Sequence, residues 1–217
     1  LKLSLPKIYA ITDRELSGLS HTEQVRQFVA GGATLIQIRD KHASSRELHA
    51  DALTAVDVAH NSGAKVLVND RVDIALMTGA DGVHLGQDDI PVAAARRLLG
   101  EKALIGISTH SVEQARSAAA EDLADYLAIG PIFSTATKGD HEPVVGPAVL
   151  TEVREVIGEL PLVAIGGITI ENLSDVLRAG ADSAAMISEF YQAGKAISEQ
   201  FKQLNAAAEA VNIVDTY

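Results

Sequence analysis

The sequence predicts an α/β protein folded as a single (β/α)8 TIM barrel over residues 1–217. Three observations carry that expectation. Short apolar runs alternate with amphipathic segments eight times. Glycines stop most of the amphipathic segments. Near-identical phrases (GGAT at 31–34, GADG at 79–82, GADS at 180–183) recur just before apolar runs, as the turns of one repeated unit would. Such alternation implies a parallel sheet covered on its outer face. Eight units average about 27 residues each, near the lower end for a closed barrel.

In chain order, strands are expected at Ile8–Thr12, Thr34–Arg39, Lys65–Asn69, Gly82–Leu85, Ala103–Ser108, Tyr126–Ile129, Leu162–Ile165 and Ser183–Ile187. Helices are expected at Thr22–Ala30, Ser45–Ser62, Val72–Thr78, Pro91–Leu99, Val112–Glu121, Pro147–Ile157, Ile170–Arg178 and Glu189–Leu204. Their apolar positions recur at three and four, as in Ala50, Leu53 and Val56. Gly31-Gly32, Gly63, Gly79, Gly100 and Gly180 read as helix stops. The alternative is an open doubly wound sheet, which would carry a G-x-G-x-x-G turn after its first strand. Here that strand ends in Thr12-Asp13-Arg14, with no glycine. No linker or composition shift divides the chain.

Composition narrows the function. A hydrophobic content of 47% is globular rather than disordered. No apolar run approaches the roughly 18 residues that span a bilayer, and the opening LKLSLPKIYAIT lacks a signal-peptide pattern. A cytoplasmic chain without a membrane partner is expected. The absence of cysteine excludes disulfides and thiolate chemistry, which suits that compartment. A net charge of −11 argues against a nucleic-acid partner, which needs a basic face. The same charge repels anions at long range. An anionic ligand therefore needs a local cluster of Arg, Lys, backbone N–H groups or a metal.

Polar residues gather just after the strands. The second strand ends in Gln37, Arg39 and Lys41, which a period of two puts on one side. The third ends Asn69-Asp70-Arg71, and the fourth runs into His84, Gln87, Asp88 and Asp89. The fifth ends Ser108-Thr109-His110. The sixth opens a loop from Gly130 to Gly146 that holds Thr135, Thr137 and Lys138. The seventh ends Gly166-Gly167-Ile168, the eighth Ile187-Ser188. In a barrel all of these meet at the C-terminal face, where such folds place their sites.

Each group also has a purely structural reading. A lone Arg or Lys beyond a strand is commonly a solvated loop residue. Asp70 can be a helix N-cap, and so can Asp88-Asp89 before Pro91. Gly166-Gly167 can be turn glycine. His84 is expected as a satisfied buried histidine, His110 and His141 as surface residues. These readings strain together, because seven of eight strand ends would be decorated by chance on one rim.

The chemistry reads as two anion sites. Gly166 and Gly167 free backbone N–H groups for a ligand and, with Ser188, suggest the phosphate cup that barrels build after strands seven and eight. Thr135 and Thr137 could add hydroxyls. Arg39, Lys41 and Lys138 form a second, cationic cluster. Asp70 and Asp89 lie beside it and, with a polyphosphate present, could hold Mg2+. Two anion sites and one metal suggest two phosphorylated substrates, one of them a diphosphate.

The stretches YAITD (9–13), QIRDK (37–41), NDR (69–71), GVHLGQDD (82–89), GISTHS (106–111), DYLAIGPIFSTATK (125–138), VAIGGI (163–168) and MIS (186–188) together resemble the thiamin phosphate synthase family across residues 8–205. The resemblance implies small-molecule substrates: 4-amino-5-hydroxymethyl-2-methylpyrimidine diphosphate and 4-methyl-5-(2-phosphoethyl)thiazole or its carboxylated form. It implies that Asp70 and Asp89 bind Mg2+, and that Arg39, Lys41, Asn69, Ser108 and Lys138 hold the diphosphate. Gln37 would contact the aminopyrimidine. Thr135, Thr137, Gly167, Ile187 and Ser188 would hold the thiazole phosphate. On charge grounds the reaction is a Mg-assisted dissociative substitution, with no protein nucleophile and no essential general base.

Ser134 and Ala136 flank Thr135 where relatives often carry Pro or a larger residue, which makes the loop less stiff and counts against its closure; the polar run Gly139-Asp140-His141-Glu142 that follows leads to the expectation that residues 134–145 form a lid that substrate orders. The alternatives are a thiazole tautomerase, which needs no diphosphate site, a sugar-phosphate epimerase-like barrel, and a non-catalytic barrel that binds a phosphorylated metabolite. The joint presence of Arg39, Lys41, Asp70, Asp89 and Lys138 favours the synthase. A homo-oligomer is compatible with the sequence, which carries no interface signature.

Overall fold

The structure is a computed structural model that describes residues 4–135 and 143–214. Eight strands, β1 (Ile8–Ile11), β2 (Leu35–Ile38), β3 (Lys65–Asn69), β4 (Gly82–Leu85), β5 (Leu104–Thr109), β6 (Tyr126–Ile129), β7 (Leu162–Ile165) and β8 (Ser183–Met186), follow one another around a closed barrel. Every pairing is parallel, including the closing pair of β8 with β1. Each strand begins and ends within one residue of its sequence-based expectation.

The helices are α1 (Arg14–Ser17), α2 (His21–Gly31), α3 (Ser45–His60), α4 (Val72–Thr78), α5 (Val92–Leu99), α6 (Val112–Glu121), α7 (Ala148–Ile157), α8 (Leu173–Arg178) and α9 (Ile197–Val214). Three of them depart from the sequence-based expectation by more than two residues. Helix α1 was not expected; Asp13 caps it by accepting from Leu16 N–H, and Gly18 ends it at φ +67°. Helix α8 begins at Leu173 rather than Ile170, because Asn172 holds the preceding turn by accepting from Thr169 N–H and donating to Gly167 O. The expected helix Glu189–Leu204 is instead a 3-10 turn at Ser188–Phe190 followed by α9, with Gly194 at φ +80° between them.

Strand alternation builds two apolar layers. Ile8, Ala10, Ile36, Ile38, Val66 and Val68 face the helices. Tyr9, Ile11, Leu35, Leu67, Tyr126, Ala128, Val163 and Ala185 fill the barrel. The interior is crowded: a Cβ on Gly106 would overlap the Tyr126 ring, so the glycine makes room for the tyrosine.

The GAD phrases lock the bottom of the barrel, where strands begin. Asp81 accepts from Val66 N–H (2.8 Å) and pairs with His60 (2.9 Å). Asp125 repeats this with Ile105 N–H (2.7 Å) and Arg96 (2.8 Å), and Asp182 with Leu162 N–H (2.8 Å) and Arg154 (2.5 Å). Each carboxylate thus ties the entry of its own strand to that of the preceding one. Among the described residues no helix is long and apolar enough to cross a membrane.

Candidate active site

All strands deliver their C-terminal ends to one mouth, which opens a cavity of about 790 Å³. Gln37, Arg39, Lys41, Asn69, Asp70, Asp89, Ser108, Thr135, Gly167, Ile187 and Ser188 all line it. Thr137 and Lys138 lie outside the described residues, as do His141 and residues 136–142 of the expected lid.

One side of the mouth is charged. Neither Asp70 nor Asp89 is a helix cap: Arg71 and Pro91 occupy the N-cap positions of α4 and α5, and neither makes a side-chain cap bond. That corrects the capping alternative and leaves both carboxylates for the cavity. Asp70 sits at φ +61°, a left-handed conformation that is uncommon outside glycine and worth a functional explanation. Its carboxylate pairs with Lys41 Nζ at 3.1 Å. Asp89 accepts from Gly86 N–H at 2.6 Å. Burial pushes the Asp89 carboxyl up, the Gly86 N–H opposes this, and the neighbouring Asp70 raises it further. A raised carboxyl beside a second carboxylate is a setting that a cation would relieve. They could hold a divalent ion of the kind that takes one or two carboxylates and completes its shell with phosphate oxygens.

A buried polar cluster holds the cationic loop in place. Arg39 N–H donates to Thr12 Oγ1, which meets His21 Nδ1 at 2.8 Å, and His21 Nε2 meets Asp40 at 3.3 Å. Asp40 also accepts from the His42 and Ala43 amides, fixing the turn that carries Lys41. Burial pushes His21 down despite the nearby Asp51 and Asp40 carboxylates. Arg39 itself approaches Asp13 at 3.9 Å.

The opposite side is built from backbone. Gly166 and Gly167 have φ of +103° and +63°. A Cβ on Gly166 would come within 2.6 Å of Pro131, and one on Gly167 within 2.6 Å of Ser134 O. The glycines are therefore required by the loop after β6, which packs directly on them. Thr135 of that loop, Ile187 and Ser188 complete this side.

The floor joins the two sides. Gln37 and His84 are buried beneath the cavity, and His84 bonds Tyr126 and Ser108. His84 is thus the satisfied buried histidine that was expected. His110 is not the surface residue expected of it: it is half-buried, lines the cavity and bonds Gly130 O through Nδ1 at 2.6 Å.

A family profile described as thiamine monophosphate synthase matches residues 8–190. The chain belongs to this family. The thiamine-phosphate synthase of Chloroflexus aurantiacus is 48% identical over 183 residues, covering 84% of this chain and 83% of that one. The thiamine-phosphate synthase of Methanoculleus marisnigri is 45% identical over 206 residues, covering 94% and 97%. Among solved structures, the thiamine phosphate pyrophosphorylase of Pyrococcus furiosus superposes with a TM-score of 0.84 at 37% identity, covering 94% and 96%. As a member of the thiamine monophosphate synthase family the chain is an enzyme, a transferase of thiamine biosynthesis.

Sequence reasoning overlooked several residues at this synthase-family mouth. Asp13 is expected only as the close of the first strand, and His110 as a surface residue. Gln87 was noted, but not its bond from Nε2 to Ser108 O (2.6 Å). Tyr9 and Tyr126 were read only as strand residues. Strand parity held the missing signal: Tyr9, Ile11 and Asp13 share one face of β1 and its extension.

Proposed function

We propose that this enzyme joins 4-amino-5-hydroxymethyl-2-methylpyrimidine diphosphate to 4-methyl-5-(2-phosphoethyl)thiazole or its carboxylated form. The products are thiamin phosphate and diphosphate, with CO2 from the carboxylated thiazole. One observation carries the reading: a single cavity has a charged half and a backbone-lined half, as two differently phosphorylated substrates require. The names of the relatives support the same product.

In this reading Arg39 and Lys41 neutralise the diphosphate as the carbon–oxygen bond to it breaks. Asn69 and Ser108 donate to its oxygens, and Lys138 adds charge from the loop after β6. Gln37 orients the aminopyrimidine, whose ring delocalises the positive charge left on the methylene carbon. Gly167, Ile187, Ser188, Thr135 and Thr137 hold the thiazole phosphate, so that the thiazole nitrogen lies beside that carbon and captures it. Asp70 and Asp89 would hold Mg2+, which when bound supplies further charge neutralisation at the diphosphate. No side chain is needed as a nucleophile. The location is cytoplasmic, and assembly into a homo-oligomer is compatible with this site.

The test is to mix the protein with both substrates and Mg2+, then assay thiamin phosphate by fluorescence after oxidation. Product that requires both substrates is expected. Diphosphate binding without any thiamin phosphate would refute the reading.

A further inference from the structure

Five side chains form one unbroken hydrogen-bonded chain across the barrel floor. Gln37 Nε2 donates to Tyr9 Oη (2.9 Å), and Tyr9 Oη meets Tyr126 Oη (3.1 Å). Tyr126 Oη meets His84 Nδ1 (2.8 Å), and His84 Nε2 meets Ser108 Oγ (2.8 Å). The two ends, Gln37 and Ser108, line the cavity. The two phenols are 1% and 0% exposed, and burial pushes both up, so each keeps its proton.

Each phenol has one proton, and a neutral imidazole has one N–H. A buried phenol proton must also be paired, so with His84 neutral the direction of one bond fixes all the others. With Gln37 donating, Tyr9 donates to Tyr126, and Tyr126 donates to His84 Nδ1. His84 then carries its proton on Nε2 and donates to Ser108, whose own proton turns to the cavity. Gln37 meanwhile presents its carbonyl oxygen there. With the amide turned over, every bond reverses: Ser108 donates to His84, the relay runs back to Gln37 Oε1, and Gln37 presents N–H groups. Both directions leave every phenol paired, so the floor has two self-consistent states. An anion at Ser108 decides between them, because its oxygens accept and cannot donate. The serine must then give it a proton, which selects the first direction.

We propose that this relay couples the two ends of the pyrimidine substrate: an anionic group seated at Ser108 sets Gln37 to show its carbonyl oxygen, so the floor takes a ring bearing an amino group and rejects its oxo counterpart. The inference rests on the proposed aminopyrimidine diphosphate site and adds a specificity device to it. Tyr9, Tyr126 and His84 are positioning residues, since they act through Gln37 and Ser108. Without the anion the relay can reverse, and the oxo ring finds donors where it needs them.

The test measures affinities by calorimetry for four ligands: the 4-amino and 4-oxo pyrimidines, each as the diphosphate and as the 5-hydroxymethyl alcohol. In the wild type the amino-to-oxo affinity ratio should be about tenfold larger for the diphosphates than for the alcohols, a typical size for coupling between sites. Tyr126→Phe and Tyr9→Phe each keep a ring in place and break the relay. In both, the two ratios should agree within about twofold, the scatter of uncoupled sites. A lost or stabilised fold moves all four affinities together and leaves the ratios alone, so a structural role does not mimic the result. Melting curves identify a variant that does not fold, and the other phenylalanine variant then supplies the comparison. Equal ratios in the wild type, or a difference retained in the phenylalanine variants, would overturn the relay while the site assignment stands. Failure of the wild type to bind the aminopyrimidine diphosphate would overturn both.

Discussion

At the bottom of the barrel Asp81, Asp125 and Asp182 each accept from a strand amide and bond His60, Arg96 or Arg154 of the scaffold, whereas at the mouth Asp70 and Asp89 lie against each other in the cavity, Asp70 paired with Lys41 and Asp89 bonded by the Gly86 amide. The residue types are the same and the settings differ. At the bottom these three carboxylates bind one strand entry to the next, and Arg154 alone serves Gly158 O, Leu160 O, Gly180 O and Asp182. At the mouth one carboxylate sits on left-handed backbone and the other is pushed up by burial and by its neighbour. Carboxylates spent on strand entries mark the end that holds the barrel together, and a raised carboxyl beside a second carboxylate in the cavity marks the end suited to a ligand.

The largest break in that comparison is expected at the mouth. Asp89→Asn should lower turnover by about a hundredfold to a thousandfold, as expected if it removes a ligand of the ion that would neutralise the departing diphosphate. Its melting temperature should hold or rise, because a repulsion is relieved. Steady-state assays beside thermal melts check both halves. The reverse pattern is expected at the bottom. Arg154→Ala should cost about 2–3 kcal/mol by stranding three carbonyls and a carboxylate, which lowers the melting temperature by roughly 4–10 °C. The KM values of the folded variant should be unchanged.

A smaller effect should sharpen the picture of the mouth itself. Gly167→Ala combines a left-handed backbone with a Cβ 2.6 Å from Ser134 O. It should raise KM for the thiazole phosphate by about tenfold and change KM for the pyrimidine diphosphate far less, as strain of this kind is local. The smallest effect concerns Asp51, which accepts from the Thr22 hydroxyl and from the His21 and Thr22 amides beneath the Arg39 loop. Burial raises its carboxyl, but those hydrogen bonds outweigh it and hold it below the ordinary value. Its contribution to stability is therefore present above about pH 4 and lost as pH falls through the lower folded value. Asp51→Asn should give a shallower acid limb in a plot of stability against pH.

The barrel was legible in the sequence because its signals are local. Each strand is a short apolar run, and the GAD turns repeat with Gly79 and Gly180 at positive φ. Helix α1 was missed because four residues leave no periodicity, although Asp13 and Gly18 already marked its ends. The expected final helix ran through Gly194 because an apolar pattern does not register one residue at φ +80°. In the mouth, alternation along β2 was enough to place Gln37 and Arg39 on one face. The Gln37–Tyr9–Tyr126–His84–Ser108 relay was not legible, since its members come from five strands, or the positions just after them, and only closure brings them together. The N-cap alternative for Asp70 failed because Arg71, one residue on, holds the N-cap position of α4, while Asp70 itself sits at φ +61°.

The proposed function requires that Asp70, Asp89 and the cations of the mouth form one site for a metal-bound diphosphate. Calorimetric titration with inorganic diphosphate, with and without Mg2+, tests it most directly in the wild type and in Asp70→Asn/Asp89→Asn. The account predicts that Mg2+ tightens wild-type binding by about tenfold or more and that the double variant loses this gain. Equal wild-type affinity with and without Mg2+, or the same gain in the double variant, would contradict it.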